Sequence, residues 1–434
     1  MRKTRIFAAA LGDQNMVIED VSIETETSRG KVPTTSEVFV FSVRPKAPQA
    51  GRCSQCCRRC PGYDAGDGVR RWRTLNVGTT KAYLRAAAPR VECGEHGVVV
   101  AHVPWARPGA KHTWAFEDTC TWLCAHAALS VVAVYLQVAW RTVAAIVERV
   151  VADGRGTNDL LAGLTRIGID EISYRKGQRY LTVVVDHVTG RLVWAKEGRN
   201  QDTLGSFFDE LGEQRAKLLT HVSCDGAEWI HAVVRARAPK AIICLDPFHV
   251  VMWALKALDK VRVRTMVKAG VRDRQAMWAT RKNPADLTGE QRTSLAAIAD
   301  TNKTLYKAYL LKEQLREVFR VKGDGGRKLL AGWLSWAWRC RIPEFVALAK
   351  TIRHYRDLIW NTCDHGLSNA LSEATNTHLR ALTKRSYGYH SPEALIGMAL
   401  LTRGGLCPPL PGRTPAEPRH NCVVENLAVT GNAA

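Results

Sequence analysis

The stretch TRIGIDEISYRKGQRYLTVVVDHVTGRLVWAK, residues 165–196, reads as three consecutive strands. The first, 166–172, alternates apolar and polar positions and ends in an acidic pair, Asp170 and Glu171. The second, 180–186, is β-branched and nearly all apolar. His187, Val188, Thr189 and Gly190 supply a turn, and 192–195 returns. An apolar strand that delivers a carboxylate at its end holds a metal ligand on a rigid element.

Downstream the pattern predicts a helix over 202–217, a strand over 218–224, a helix over 227–236, a strand over 241–245 and a further helix. Three strands joined by short turns and followed by alternating α/β units match an RNase H-like layout. In that layout the first and fourth strands are neighbours. Asp170 and Asp225, the latter in LLTHVSCDGAEWI (218–230), would then stand side by side. Glu171 should point to the opposite face. Asp225 with Gly226 is alternatively only a turn, and Asp246, at the end of the next strand, is the main competitor for its role. His249 three residues later fits a supporting position around a water or a phosphate.

Residues 255–362 are almost wholly helical in pattern. They hold 23 Lys/Arg against 10 Asp/Glu, so most of the chain's excess positive charge lies here. Within them LLAGWLSWAWRCRIPEF (329–345) suits a bundle core with a basic rim that can grip phosphates. The length fits a helical insertion inside the catalytic domain. A last helix follows over 370–383, capped by Ser368 or Asn369. On it Glu373, Asn376, Thr377, Arg380 and Lys384 share one face, with Arg385 next in line. That is the pattern of a carboxylate metal ligand backed by phosphate-contacting side chains. From 404 on, prolines and small residues predict a flexible tail.

Phosphodiester hydrolysis by side chains alone is slow. Two Mg²⁺ (or Mn²⁺) ions can activate the attacking hydroxyl and stabilise the leaving oxygen of an in-line displacement. Such ions prefer carboxylate oxygens. Asp170 would bridge both ions, Asp225 would hold one and Glu373 the other.

Upstream, RCSQCCRRCPGYD (52–64) and VECGEHG (91–97) are two knuckles separated by strand-like sequence over 71–77 and 81–86. Tetrahedral zinc takes four N/S ligands from two such turns. Cys53, Cys56, Cys93 and His96 are the first choice, with Cys57 and Cys60 as alternatives. Before them the pattern predicts a helix over 6–11 and strands over 17–23 and 37–44. After a proline-containing linker, helices are expected over 112–129, 130–137 and 141–152. The last two, joined by a three-residue turn, fit a helix-turn-helix with 141–152 as recognition helix. Arg141, Thr142 and Arg149 would face DNA. Residues 153–163 are expected to form a linker.

The charge supports a polyanionic partner: 62 Lys+Arg against 41 Asp+Glu give +21 over 434 residues. The longest apolar run, 127–140, contains Gln137 and falls short of the ~20 residues that span a bilayer. The basic start turns acidic too soon for a signal peptide. Thirteen cysteines, odd in number and clustered, argue for partial metal ligation in a reducing cytoplasm.

The chain resembles bacterial insertion-sequence transposases of the DDE type, in the ISL-three family. The marks are the Cys/His cluster with CPGYD and VPWA, the helix-turn-helix, IGIDE, SCDGAEWI, LDPFHVV and SEATNTHLRALTKRSYGYHSPEAL. The resemblance covers about residues 1–410. It implies an α/β, RNase H-like catalytic domain over 164–403 with a helical insertion at about 255–362. A zinc-ribbon-like module over 1–105 and an all-α helix-turn-helix over 110–155 would precede it. It also implies an acidic triad of Asp170, Asp225 and Glu373, and recognition of terminal inverted repeats by a homodimer or larger assembly at the bacterial nucleoid. Ala374 stands where many members carry Gly. The alternative is an inert, domesticated relative acting as a DNA-binding regulator.

Overall fold

The computed structural model describes residues 6–7, 11–12, 15–27 and 34–413, except 176, 178, 268–269, 271–273, 322 and 387. Residues 8–10 of the expected helix over 6–11, and the tail from 414, lie outside the described residues. The chain divides into two compact units, Met1–Gly154 with Leu406–Ala434, and Arg155–Gly405.

The first unit opens with two long strands, β1 (Met16–Thr27) and β2 (Thr35–Pro45), paired antiparallel. After β3 (Gly62–Asp64), strands β4 (Val69–Val77) and β5 (Thr80–Ala87) complete a four-stranded sheet of order β1-β2-β5-β4. Phe41, Trp72, Leu84 and Trp105 fill its core. A small sheet, β3-β6-β7, uses β6 (Arg90–Cys93) and β7 (Gly97–Val100), whose tight turn carries His96.

Three helices follow: α1 (Trp114–His126), α2 (Leu129–Leu136) and α3 (Trp140–Thr157). Thr113 caps α1, its hydroxyl accepting the Phe116 amide at 3.3 Å. Gln137 takes a left-handed φ of 55° and stops α2. The axes of α2 and α3 then meet at 107°, within the range of a helix-turn-helix corner. Val143, Ile146, Val147 and Val150 are buried at helical spacing. The run 127–140 is therefore split by a sharp corner, and among the described residues no single helix is long and apolar enough to cross a membrane. Helix α3 runs on through Gly154 and Gly156 into the expected linker. A Cβ on Gly154 would meet Leu406 at 3.5 Å, so a buried contact from far along the chain lies against the glycine. The start of the expected tail is thus part of this unit.

The second unit is built on β8 (Arg166–Arg175), β9 (Arg179–Asp186), β10 (Leu192–Glu197), β11 (His221–Cys224) and β12 (Ile242–Leu245). Their order is β10-β9-β8-β11-β12. Strand β9 runs antiparallel to both neighbours, while β8, β11 and β12 are parallel. Val183, Val184 and Val185 are fully buried. Each contributes roughly 1.5–3 kcal/mol by burial on both sheet faces, which excludes β9 from an edge. At the β9–β10 turn the Asp186 carboxylate accepts the Val188 and Thr189 amides at 3.0 and 3.1 Å. The helix expected over 202–217 breaks at Gly212, φ 80°, into α4 (Gln201–Leu211) and α5 (Glu213–Ala216). Helix α6 (Glu228–Arg237) joins β11 to β12.

After β12 come α7 (Pro247–Thr265), α8 (Arg274–Arg281), α9 (Gly289–Thr301), α10 (Lys303–Val318), α11 (Asp324–Arg339), α12 (Pro343–His354) and α13 (Arg356–His365). They share a core around Trp333 and Phe345. The Trp333 indole donates to Leu311 O at 2.8 Å. The chain then returns to the sheet as α14 (Ala370–Arg385) and α15 (Pro392–Arg403).

Candidate active site

Strand alternation separates the two acids at the end of β8. Ile167, Ile169 and Glu171 face the side that packs against α4 and α6, where both isoleucines join that core. Gly168 and Asp170 face α14. Gly168 has no room for a side chain: a Cβ would stand 2.5 Å from Ser372 Oγ, 2.7 Å from Asn369 Oδ1 and 2.9 Å from His187 Nε2. The glycine thus lets α14 lie directly on the sheet beside Asp170. Glu171, on the other face, forms an ion pair with Arg199, and burial pushes its carboxyl up to about 7.

The parallel register pairs Ser223 with Gly168, which brings Asp225 alongside Asp170. Asp225 Oδ1 accepts the Ala227 amide at 3.0 Å, and its carbonyl accepts from His231 Nε2 at 2.9 Å. The turn beyond it is fixed from the insertion: Tyr355 donates to Gly226 O at 2.9 Å, and a Cβ on Gly226 would reach the Trp253 ring at 2.7 Å. Asp225 is therefore at once a turn residue and a neighbour of Asp170.

Asp246, only 4% exposed, has both oxygens engaged. Oδ1 accepts the Asn369 amide at 3.1 Å, and Oδ2 lies 3.0 Å from His249 Nδ1. That hydrogen bond raises the His249 pKa. Burial holds the Asp170 carboxyl up at about 6, and the charges of Asp225 and Asp246 push the same way. Asn376 donates from Nδ2 to Asp170 Oδ2 at 2.9 Å.

Glu373 is exposed on α14, one turn before Asn376, hence on a neighbouring strip of the same helix. Arg380 and Lys384 are also exposed and Arg385 is half-buried. Asn376 corrects the expectation of a phosphate contact: it is buried and its amide holds Asp170. Asn369 corrects another. It occupies the N-cap of α14 without capping it, because its side chain reaches across to β8 and β11. Neither it nor Ser223, Ser372 and His187 stood out in the sequence as site residues.

The first unit places Cys53, Cys56, Cys93 and His96 together, with all four ligand atoms within 4.8 Å of one another. Cys56 and Cys93 sulfurs are 3.6 Å apart, and His96 Nδ1 is 3.6 Å from Cys93 and 3.8 Å from Cys53. Tetrahedral ligands at roughly 2.0–2.3 Å from zinc stand at about these mutual distances. Backbone amides of the Glu95–His96 turn and the His96 ring lower the Cys93 thiol to about 6, which favours the thiolate that binds metal. Cys60 instead donates to Arg58 O at 3.4 Å, and Cys57 sits in a left-handed turn, φ 58°. Among the described residues this is the one group of three or more ligands so tightly drawn. Among the described residues the carboxylates near Asp170 form no such group.

Along α3, Arg141 is exposed and Thr142 half-buried. Arg149 departs from the outward position expected of it: its guanidinium pairs with Glu117, a fully buried carboxylate. Arg107 meets the same carboxylate at 3.1 Å, Asp118 at 3.1 Å and Asp153 at 3.0 Å, and lies 4.0 Å from the Trp114 ring centroid. A buried acid requires cations, and this one draws Arg149 inward.

Comparison with known proteins finds three matching segments, in the order zinc finger, helix-turn-helix and transposase domain. Residues 49–96 match the zinc finger of transposases IS204/IS1001/IS1096/IS1165, and 101–151 match the helix-turn-helix domain of transposase family ISL3. Residues 167–399 match the ISL3 transposase model of the DDE group. The transposase for insertion sequence element IS1557, from two strains of Mycobacterium tuberculosis, is 48% identical over 95% of this chain and 98% of its own length. The transposase for IS1001 of Bordetella parapertussis is 26% identical over 79% of this chain and 86% of its own. The class is therefore an insertion-sequence transposase with a helix-turn-helix DNA-binding domain. Within that class, the chain belongs to the ISL3 family.

Proposed function

We propose that this transposase works by metal-dependent phosphodiester chemistry on an RNase H-like core. What carries the proposal is the adjacency of Asp170 on β8 and Asp225 just after the parallel strand β11, with the Glu373 helix packed on β8 and β9. The strand order, with the third, second, first, fourth and fifth strands side by side, supports the fold assignment. Asp170, Asp225 and Glu373 would hold two Mg²⁺ or Mn²⁺ ions. The donor set fits: hard oxygens from three elements, in a place where buried negative charge calls for a cation. When bound, the ions supply activation of the attacking hydroxyl and stabilisation of the leaving oxygen.

The chain's own groups do the rest. Asn376 orients Asp170, and Asp246 with His249 fixes the strand end beside them. Arg380, Lys384 and Arg385 on α14 would contact phosphates. Arg141 and Thr142 at the start of α3 face the DNA of the element's terminal inverted repeats, while the zinc-ribbon module is held by Cys53, Cys56, Cys93 and His96. Hydrolysis at the element's end would free a 3′-hydroxyl, which then attacks target DNA. Two ends must be brought together, so a dimer or larger assembly on the nucleoid is the working form.

The test is cleavage of a duplex carrying the end of the chain's own element, in Mg²⁺ and in EDTA, for the wild type and Asp225→Asn. Metal-dependent cleavage lost in the variant supports the proposal. Cleavage that persists in Asp225→Asn refutes the assignment of that acid, and end binding without cleavage under any metal favours an inert regulator.

A further inference from the structure

One residue touches all three acid-bearing elements of the second unit. Asn369 Nδ2 donates to Ile169 O, next to Asp170, at 3.2 Å. Its Oδ1 accepts from Ser223 Oγ, two residues before Asp225, at 2.9 Å. Its backbone amide donates to Asp246 Oδ1 at 3.1 Å. The network is closed further by His187 Nε2, 2.7 Å from Ser223 Oγ. Proton counting fixes its direction. Ser223 has one hydroxyl proton and gives it to Asn369, so His187 must donate to Ser223 as the Nε2–H tautomer. Asn369 and Ser223 are fully buried or nearly so.

The side chain is matched to this place by chemistry rather than by helix capping. A planar amide can donate to the carbonyl and accept from the hydroxyl at once. An Asp could not donate to Ile169 O, and an Ala would orphan two buried groups. Asn369 also forgoes its own cap, worth about 1 kcal/mol to a helix, in order to bridge the strands.

We propose that Asn369 is the positioning residue that sets the spacing of Asp170, Asp225 and Asp246 and registers the Glu373 helix against them, with Ser223 and His187 as its supports. This deepens the metal-dependent proposal above and rests on it. A residue that orients metal-binding carboxylates from behind typically changes metal affinity about 10–100-fold when removed. A residue that only packs lowers stability and leaves affinity alone.

The experiment is Mn²⁺ binding to the full-length protein, followed by electron paramagnetic resonance, alongside thermal unfolding in EDTA. Asn369→Ala and Ser223→Ala are compared with Thr280→Val, which alters a buried hydroxyl of the helical insertion. The expected result is a 10- to 100-fold weaker Mn²⁺ dissociation constant for Asn369→Ala and a smaller loss for Ser223→Ala. Thr280→Val should keep wild-type affinity whatever its melting temperature. The double variant Asn369→Ala/Ser223→Ala should lose less than the two single losses combined, since both act through one hydrogen bond. Should Asn369→Ala not fold, Ser223→Ala with Asn369→Asp decides the matter by the same readout. Wild-type Mn²⁺ affinity in folded Asn369 and Ser223 variants overturns the inference while leaving the metal site standing. Absence of Mn²⁺ binding by the wild type removes the metal site and the inference with it.

Discussion

Replacing Asp170 by Asn should stabilise the metal-free protein while abolishing metal-dependent cleavage. Burial holds this carboxyl at about 6, against an ordinary 3.8. A carboxyl that ionises less readily folded than unfolded destabilises the fold wherever it is ionised in both states. The penalty is absent below pH 3.8, grows between 3.8 and about 6, and is complete above that. A shift of about two units corresponds to about 3 kcal/mol. Asparagine is neutral at every pH, but its single oxygen can accept from only one of the two donors now on Asp170, Asn376 Nδ2 and the Glu171 amide. Losing one hydrogen bond costs roughly 1 kcal/mol. The variant should therefore gain about 2 kcal/mol at pH 8, or roughly 4–8 °C for a unit of this size. At pH 5 the wild type carries only about half of its penalty, and the gain should shrink below about 1 kcal/mol. Calorimetry in EDTA at the two pH values measures this. Added Mn²⁺ should raise the wild-type melting temperature and not that of the variant. A variant that melts below the wild type at pH 8 in EDTA, or whose gain is the same at pH 5, would falsify the idea of a desolvated, functionally retained charge at Asp170.

Two further outcomes concern the first unit. Arg107→Ala removes the guanidinium shared by the buried carboxylates of Glu117 and Asp118, so it should cost about 3–5 kcal/mol, seen as a melting transition lower by roughly 10 °C; Arg107→Lys should recover little, because an ammonium lacks the planar fork that serves three carboxylates. Cys93→Ser and His96→Ala should lose bound zinc by atomic absorption, while Cys60→Ser keeps it. With the Cys93 thiol at about 6, zinc affinity should begin to weaken as pH falls below that value, since the thiolate and not the thiol is the ligand; an affinity unchanged between pH 7 and pH 5 would count against this ligand set.

The sheet of the second unit was legible because its information is local. Alternation over 166–170, an apolar run in 180–186 and a turn between strands specify a three-stranded meander, and the face taken by Asp170 against Glu171 follows from counting in twos. The zinc cluster was legible for the same reason: each knuckle is a short-range spacing. Boundaries failed where a glycine had two possible meanings. Gly212 breaks a helix through its positive φ, whereas Gly154 stays within one, with Leu406 from some 250 residues away lying against it. The polar residues were misplaced for a deeper reason. A helical wheel sorts side chains by polarity, so it sent Arg149 and Asn376 to the outside. Each is drawn to a carboxylate distant in sequence: the buried Glu117, 32 residues from Arg149, and the half-buried Asp170, 206 residues from Asn376.

The same logic explains why Asn369 reads as a cap in the sequence and acts as a bridge in the fold. Asn at a helix start satisfies local rules, and nothing nearby announces Ser223 or Ile169 as partners. The one local trace of that network is Gly168. Glycine weakens a strand interior and is retained there where another element approaches closely, and here the approaching atoms are Ser372 Oγ and Asn369 Oδ1. A glycine two residues before a strand-end carboxylate, on the same face, therefore marks where a helix must lie against the sheet. The polar residues of that helix's first two turns, rather than its most conspicuous charges, are then the ones to examine for control of the acids.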